Sequence, residues 1–180
     1  YFTKKLAQSS IKVFTQAGGK LNKKYIEYFL EFCNSNNKKF IIMYGQTEAT
    51  ARMSYLPFSK LKNKINSIGK VIPGGKFSLR NQFRDERLLN KTIGELVYEG
   101  DNVTLGYAKS FDELNTSSNK SKILNTGDLA WIDDENFVYI VGRIKNYAKI
   151  NGIRVSLDDV EKICAENGYV TAVFNILLLF

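Results

Sequence analysis

The sequence predicts an α/β fold that continues into an antiparallel β subdomain and then into the start of a small α+β segment. Three observations carry this prediction. A strand, a helix and a second strand follow one another before residue 45, short strands and turns alternate between residues 68 and 141, and a capped amphipathic helix begins near residue 156. Strands that alternate with helices are typical of parallel sheets, whereas strands joined by tight turns are typical of antiparallel ones.

The first element group is a strand–helix–strand unit. Apolar and polar side chains alternate from Ile11 to Thr15, which predicts a strand that ends at the glycine turn Gly18-Gly19. Asn22 is a suitable cap for a helix to about Asn36, and the apolar run Phe40 to Met43 predicts a buried strand. The helical spacing predicts a buried face made of Tyr25, Ile26, Phe29, Leu30 and Cys33.

Such a unit has a preferred place for a ligand. In open α/β sheets, ligands bind beyond the carboxyl ends of the strands. Gly18-Gly19 follows the first predicted strand, and Tyr44 to Glu48 follows the second. The sequence therefore predicts that these two stretches converge.

The middle of the chain predicts short strands joined by turns and one exposed polar loop. The acidic turn Asp133 to Asn136 predicts a hairpin, because aspartate and asparagine favour turn conformations. The loop is the serine-rich stretch from Lys109 to Lys122. The predicted strands are Ile68–Ile72, Lys76–Arg80, Gly94–Tyr98, Asn102–Tyr107, Leu129–Ile132 and Phe137–Val141.

After residue 141 the pattern changes. Gly142 to Asn146 interrupts the strands and is interpreted as a linker. Ser156 is predicted to cap the helix, with the Asp159 side chain accepting a hydrogen bond from the Ser156 backbone N–H in return. Tyr169–Phe174 and Ile176–Leu179 are predicted strands. The apolar stripe of the helix is predicted to be Leu157, Val160, Ile163 and Cys164. The missing initiator Met and the strand pattern that stops at Phe180 suggest that both ends are cuts.

Composition narrows the function classes. The chain has no histidine, which removes histidine-based acid–base catalysis, a Ser-His-Asp triad and most zinc chemistry. Its two cysteines lie in apolar stripes, as reduced core cysteines of a cytoplasmic protein do. The net charge of +8 comes from scattered lysines, which favours a solvated surface over a nucleic-acid site. No apolar run has the length of a membrane span.

Each candidate functional residue also has an ordinary structural interpretation. Gly18-Gly19 can be explained as a turn alone, and Tyr44 can be explained as a core residue. Thr47 and Glu48 are typical of a helix start, with Thr47 as the cap. The remaining candidates are Asp128 as a turn aspartate, Arg143 as a surface arginine and Glu95 as a charge at a strand edge.

Taken together and in order, the motifs are far more specific. The chain resembles the adenylate-forming, or AMP-binding, superfamily of acyl-CoA synthetases, peptide-synthetase adenylation domains and luciferases. The resemblance implies that residues 1–143 are the C-terminal portion of the large AMP-binding domain and that 144–180 begin the small C-terminal domain. It is carried by Ala17-Gly18-Gly19, Tyr44-Gly45-Gln46-Thr47-Glu48, Gly94-Glu95-Leu96 through Gly106-Tyr107, Thr126-Gly127-Asp128-Leu129, Gly142-Arg143, Lys149-Ile150-Asn151-Gly152-Ile153-Arg154-Val155 and Glu161.

The resemblance implies a site for ATP or AMP with Mg²⁺. Gly18-Gly19 and the Tyr44 ring would enclose the adenine, in a nucleotide-binding set that includes Gly45 and Gln46. Thr47 would donate its hydroxyl to the α-phosphate, and Glu48 would hold Mg²⁺. Farther along the chain, Asp128 would accept from the ribose hydroxyls, Arg143 would lie near the ribose and phosphates, and Lys145 would be the hinge between half-reactions.

The implied reaction forms an acyl-AMP from a carboxylic acid and ATP and passes the acyl group to CoA or a carrier pantetheine. This places the protein with magnesium-dependent ligases of the acyl-CoA synthetase type, in fatty acid metabolism. Two alternatives remain: amino-acid adenylation for a carrier protein, of which Arg154 is reminiscent, and a truncated, non-catalytic nucleotide- or polyanion-binding remnant.

Two features of the family are missing from the sequence. The Ser/Thr/Gly-rich phosphate loop of the family is absent, and its catalytic lysine would lie beyond Phe180. The resemblance therefore implies an enzyme in full length and a 180-residue piece that does not form acyl-AMP by itself.

Overall fold

A computed structural model of the chain describes residues 2–85, 88, 91–115, 121–150 and 153–169. The chain forms two compact units. Unit 1 comprises Tyr1–Ser78, Val97–Thr126 and Ile132–Tyr139, and unit 2 comprises Leu79–Leu96, Gly127–Trp131 and Ile140–Phe180. The division differs from the sequence-based boundary at residue 143, which stays a prediction. Among the described residues, every helix is too short or too polar to traverse a lipid bilayer.

Apart from the strand predicted at Asn102–Tyr107, the predicted helices and strands of the described residues occur in order. The structure adds two helices, Phe2–Gln8 and Phe58–Leu61, and three strands, Ser54–Leu56, Tyr147–Ile150 and Ile153–Ser156. The helices are α1 (Phe2–Gln8), α2 (Lys23–Ser35), α3 (Phe58–Leu61) and α4 (Leu157–Glu166). The strands are β1 (Val13–Gln16), β2 (Lys39–Tyr44), β3 (Ser54–Leu56), β4 (Lys70–Val71), β5 (Lys76–Asp85), β6 (Lys91–Glu99), β7 (Ile123–Ile132), β8 (Val138–Arg143), β9 (Tyr147–Ile150) and β10 (Ile153–Ser156).

The strand–helix–strand prediction is confirmed. Strands β1 and β2 pair in parallel, with Val13 opposite Lys39 and Gln16 opposite Ile42, and α2 connects them. The Asn22 side chain accepts a hydrogen bond from the Lys24 backbone N–H, as expected of an N-cap. Strand β3 pairs with β2, and β4 pairs with β3, both in antiparallel orientation. The sheet therefore has the order β1-β2-β3-β4.

The buried face of α2 differs from the prediction at two positions. Ile26, Phe32 and Cys33 are buried, whereas Tyr25 is exposed beside the Lys24 ammonium, 4.9 Å from its ring centroid. Phe32 is buried because it faces the sheet, where its ring meets the ring of Phe14 edge-on at 6.1 Å. The main core of unit 1 consists of Ile26, Phe32, Cys33, Phe40, Ile42, Leu56, Leu61 and Phe137.

The middle of the chain confirms the antiparallel subdomain. Strands β5, β6, β7 and β8 form one sheet in sequential order, and the short connection 133–137 between β7 and β8 permits only antiparallel pairing. Asp133 makes the predicted turn, since its Oδ1 accepts from the backbone N–H groups of Glu135 at 3.0 Å and Phe137 at 2.8 Å.

The strand predicted at Asn102–Tyr107 is wrong, because this segment forms no strand. Its polar groups bind the turn that follows β2 instead of a neighbouring strand. The Thr104 backbone N–H, for example, donates to the Glu48 carbonyl at 2.8 Å. Within the predicted exposed loop, described residues 109–114 are exposed as expected, and 116–120 lie outside the described residues.

The interpretation of Gly142 to Asn146 as a linker is only partly right. Strand β8 continues to Arg143, and a 3₁₀ turn covers Ile144–Asn146. Beyond it, the hairpin β9–β10 leads into α4 at the predicted place. In the predicted stripe of α4, Leu157 is buried but Ile163 is exposed. The predicted strand Ile176–Leu179, and Tyr169–Phe174 beyond its first residue, lie outside the described residues.

Candidate functional site

Parallel pairing of β1 and β2 brings two predicted site stretches to the same edge of the sheet. Gln16 is the last residue of β1 and lies opposite Ile42 of β2, so Gly18-Gly19 and the segment after Tyr44 leave the sheet on the same side. Gly18 has a φ of 89°, and a Cβ added at Gly18 or Gly19 would meet open space. The backbone of this turn is therefore open to a flat ligand.

The segment after β2 folds back sharply on itself. The Met53 backbone N–H donates to the Tyr44 carbonyl at 2.8 Å, and the Ala51 N–H donates to the Gln46 carbonyl at 2.9 Å. Gly45 lies inside this turn, and a Cβ there would come within 2.5 Å of the Ala51 carbonyl oxygen. In the described structure, Gly45 therefore serves the packing of the turn.

Tyr44 is half-buried at the end of β2. Its ring lies 6.5 Å from that of Phe77, at an interplanar angle of 57°. It packs against a small core of Ala49, Met53 and Tyr98. Tyr44 is thus both partly a core residue, as the structural interpretation held, and partly exposed at the strand end.

Thr47 and Glu48 lie in a 3₁₀ turn, Thr47–Ala49. The interpretation of Thr47 as a helix cap is wrong, since the N-cap is Gln46 and no side chain caps the turn. Thr47 is exposed, and its hydroxyl has no hydrogen-bond partner within the described part of the chain. This hydroxyl is therefore available to a ligand.

Glu48 is held from the segment that follows β6. Its Oε1 accepts a hydrogen bond of 2.7 Å from the Tyr107 hydroxyl, and its carbonyl accepts from Thr104. The hydrogen bond to Glu48 raises the pKa of Tyr107, because the neutral phenol is the form that donates. The Glu48 carboxylate is therefore oriented and remains partly accessible.

Gln46 connects this turn to Thr126, another residue of unit 1. Its Nε2 donates to the carbonyl of Thr126 in β7 at 2.8 Å. Thr126 precedes Gly127-Asp128 in the sequence. The predicted role of Gln46 at the nucleotide is therefore accompanied by a visible structural one.

Unit 2 contains the other predicted site residues. Asp128 lies in β7 and its side chain is only 4% exposed, so the interpretation as a turn aspartate is wrong. Its Oδ1 accepts from the Nε of Arg143 at 2.9 Å, at the end of β8. Arg143 is largely exposed, so the guanidinium pairs with Asp128 and still faces solvent. Lys145 is exposed in the 3₁₀ turn that follows.

The donor set fits Mg²⁺ in the form that this ion takes beside phosphates. Mg²⁺ is usually bound by one or two carboxylates plus phosphate oxygens and water. No group of three or more metal-ligating side chains occurs among the residues that are described, so a closed all-protein cage is not part of them. The half-exposed Glu48 carboxylate is a group of the type that such an ion takes as a protein ligand.

Sequence reasoning missed Asn102 and gave Tyr107 no role. Asn102 contacts the turn after Glu48, and Tyr107 contacts Glu48 itself. Both residues lie in the stretch Asn102–Tyr107, whose alternation of polar and apolar side chains predicted a strand and gave no signal of these contacts. A groove of about 550 Å³, lined by residues such as Lys60, Lys70 and Phe137, contains none of the predicted site residues.

Comparison with known proteins identifies the relatives of this chain. It is 28% identical over 154 residues to 4-coumarate–CoA ligase-like 6 of Arabidopsis thaliana, across 86% of this chain and 27% of that protein. Its fold matches Bacillus subtilis o-succinylbenzoate coenzyme A synthetase, solved with ATP and a magnesium ion, with a TM-score of 0.63 and 21% identity over 92% of this chain and 35% of that one.

A third similar protein is McyG A-PCP. The structure of McyG A-PCP complexed with phenylalanyl-adenylate matches with a TM-score of 0.59 and 26% identity, over 92% of this chain and 32% of that one. The chain thus spans about a third or less of the length of these relatives. The profile of the family described as AMP-binding enzyme matches residues 2–108. The chain therefore belongs to the AMP-binding enzyme family.

Proposed function

We propose that the chain is part of a ligase that activates a carboxylic acid with ATP and then transfers the acyl group to a thiol. The observation that carries the proposal is the turn after β2, which presents the Thr47 hydroxyl and the Glu48 carboxylate at the sheet edge shared with Gly18-Gly19. The relatives named as CoA ligases support this class of reaction.

In this proposal each residue has a defined role toward the nucleotide. The open backbone of Gly18-Gly19 and the exposed part of the Tyr44 ring accept the adenine from its two faces. Thr47 donates to an α-phosphate oxygen, where negative charge increases as the bond to the carboxylate forms. Glu48 would hold Mg²⁺, which when bound supplies charge neutralisation on the phosphates.

The proposal also gives roles to three residues of unit 2. Asp128 would accept from the ribose hydroxyls, because a carboxylate only accepts hydrogen bonds and can bind a diol. Arg143 would place its permanent charge near the ribose and phosphates. Lys145, exposed in the turn after β8, would be the hinge about which the following segment turns between half-reactions.

The chemistry then proceeds in two balanced steps. A carboxylate oxygen attacks the α-phosphorus, and the bond to the pyrophosphate oxygen breaks, so that acyl-AMP and pyrophosphate form. A thiol sulfur next attacks the acyl carbon, AMP leaves with the electron pair of the carbon–oxygen bond, and the thiol proton passes to solvent. Neither step requires histidine, and positioning and charge neutralisation supply the catalysis.

A second candidate is adenylation of an amino acid for a carrier protein. It is favoured by the likeness to McyG A-PCP, which was solved with an aminoacyl-adenylate. Pyrophosphate exchange on a longer form of the protein, measured with fatty, aryl and amino acids, separates the two candidates.

We also propose that the 180-residue chain binds nucleotide without forming acyl-AMP, so that pyrophosphate exchange by this chain alone would contradict the proposal.

Calorimetric titration of the chain with AMP tests the proposal. Asp128→Ala removes the ribose acceptor and is expected to weaken AMP binding about tenfold or more, since losing a hydrogen bond to a charged group costs ~1.5–3 kcal/mol. Asp134→Ala, at an exposed aspartate of the turn after β7, is the matched control and should bind like wild type. Equal affinities of the two variants would contradict the assignment of Asp128.

A further inference from the structure

The turn that presents Thr47 and Glu48 contains an unusual backbone. Thr50 and Ala51 have φ values of 54° and 64°, and both are therefore in the left-handed region without being glycine. L-residues with a Cβ rarely adopt this conformation, because the Cβ approaches the following carbonyl oxygen. Two such residues in succession need support from elsewhere in the fold.

Asn102 supplies that support from both sides of the left-handed pair. Its Nδ2 donates to the carbonyl of Ala49 at 2.7 Å, before the pair, and to the carbonyl of Arg52 at 3.1 Å, after it. The Thr50 Oγ1 lies 3.4 Å from the same nitrogen. One side-chain amide therefore bridges the two ends of the turn.

The amide is itself fixed by Tyr98. The Tyr98 hydroxyl donates to the Asn102 Oδ1 at 2.6 Å, and this contact leaves the Asn102 Nδ2 directed at the turn. Tyr98 is completely buried and packs in the same small core as Ala49 and Met53. A buried residue of β6 thus determines the orientation of the Asn102 side chain.

We propose that Asn102 is a positioning residue that, oriented by Tyr98, fixes the direction in which Thr47 and Glu48 face. Asn102 contacts the chain immediately after the 3₁₀ turn and acts through the Ala49 and Arg52 carbonyls, not on a ligand. The effect of Asn102 on nucleotide binding rests on the proposed function, whereas its stabilisation of the turn does not depend on that proposal.

Hydrogen–deuterium exchange of the chain without nucleotide tests the hold directly. Asn102→Ala and Asn102→Asp both remove the amide donor, and exchange of residues 46–53 is expected to become about tenfold faster, the factor for losing roughly one net hydrogen bond. Tyr98→Phe should accelerate the same segment less. Asn63→Ala, at an exposed asparagine, is the matched control and should leave it unchanged.

Two exchange results would overturn the proposal. One is unchanged exchange of residues 46–53 in both Asn102 variants. The other is an equal acceleration of α2, because a general loss of stability would then explain the effect. Adding Thr50→Gly and Ala51→Gly to Asn102→Ala should bring the exchange of the turn back toward wild type, since glycine adopts positive φ without a steric penalty.

A titration with MgATP separates this proposal from the proposed function. If wild type binds, Asn102→Ala should bind about tenfold more weakly and the triple variant should recover affinity, whereas wild-type affinity in Asn102→Ala would overturn the positioning role. If wild type does not bind nucleotide, the proposed function fails, and the exchange results alone decide whether Asn102 fixes the turn.

Discussion

Glu48 is held by its backbone and its side chain at once. Thr104 donates to its carbonyl and Tyr107 to its carboxylate, so the position of the group is defined before any ligand arrives. A carboxylate that is oriented in advance loses little entropy when it binds a cation. This arrangement suits Glu48 for the metal role proposed above.

Glu48→Gln tests that role. The neutral amide keeps the size of the side chain and removes its charge, so MgATP should bind about tenfold more weakly, whereas binding of ATP with EDTA should change little. Glu31→Gln, an exposed glutamate of α2, is the matched control and should bind MgATP like wild type. An equal loss of affinity with and without magnesium would contradict the metal assignment.

At the residue scale, the sequence suggests candidate site residues but does not reveal the residues that hold them in place. Glycine, threonine and glutamate in one short stretch indicate a nucleotide site only in combination with the other motifs, since each residue alone has an ordinary structural interpretation. Asn102 acts through contacts to residues about fifty positions away, and no local periodicity records such contacts. Asp128 was predicted as a site residue, but its burial in β7 follows only from the tertiary packing.

At the element scale, the glycines of the two loops at the edge of β1 and β2 differ in function. Gly45→Ala should destabilise the protein, because its Cβ would lie 2.5 Å from the Ala51 carbonyl oxygen and the turn would have to shift. Gly19→Ala meets open space and should leave the urea midpoint unchanged while weakening AMP binding. Equal urea midpoints for the two variants would contradict the described turn.

Helix α2 connects the parallel strands, and the contribution of its N-cap to stability can be tested by mutation. Asn22→Ala removes the acceptor for the Lys24 N–H and should lower the free energy of unfolding by about 1 kcal/mol. Asn34→Ala, within the same helix and exposed, should be neutral or stabilising because alanine has the higher helix propensity. Urea unfolding of both variants measures the difference, and a larger loss at Asn34 would contradict the cap.

The elements that the sequence predicted correctly are those with local signals. The Asn22 cap and the turn at Asp133 depend on side chains that bind nearby backbone groups, so their residue types are informative. The segment Asn102–Tyr107 alternates like a strand, but its side chains and N–H groups bind the turn after β2. The tertiary contacts override the pattern there.

At the scale of the whole molecule, charge pairs link segments far apart in the sequence. Lys64 binds Asp133 at 2.9 Å and also contacts Glu135 in the turn between β7 and β8. Burial alone would raise the pKa of Asp133, but the Lys64 ammonium and the Phe137 N–H outweigh it and lower that pKa. The same ammonium lowers the pKa of Glu135, and both carboxylates raise the pKa of Lys64.

These shifts predict how stability depends on pH. The lowered pKa values of Asp133 and Glu135 contribute to the free energy of unfolding. This contribution is fully present at a pH above the ordinary pKa values of 3.8 and 4.5, and it is lost as the pH falls through the lower pKa values of the folded state. The urea midpoint of wild type should therefore decrease between pH 7 and pH 3, and that of Lys64→Met should decrease less. Lys62→Met, at an exposed neighbouring lysine, is the control and should lose as much stability in acid as wild type. A decrease of the urea midpoint in Lys64→Met equal to that of wild type would contradict the pairing of Lys64 with the two carboxylates.

The central claim is that the edge after β1 and β2 binds an adenine nucleotide. Titration of the isotopically labelled chain with AMP, followed by amide NMR, tests it most directly. We expect the chemical-shift changes to concentrate at Gly18, Gly19 and Tyr44 to Glu48 and the residues of the groove beside Lys60 and Lys70 to remain unchanged. Shifts confined to that groove, or no saturable shifts at all, would contradict the claim.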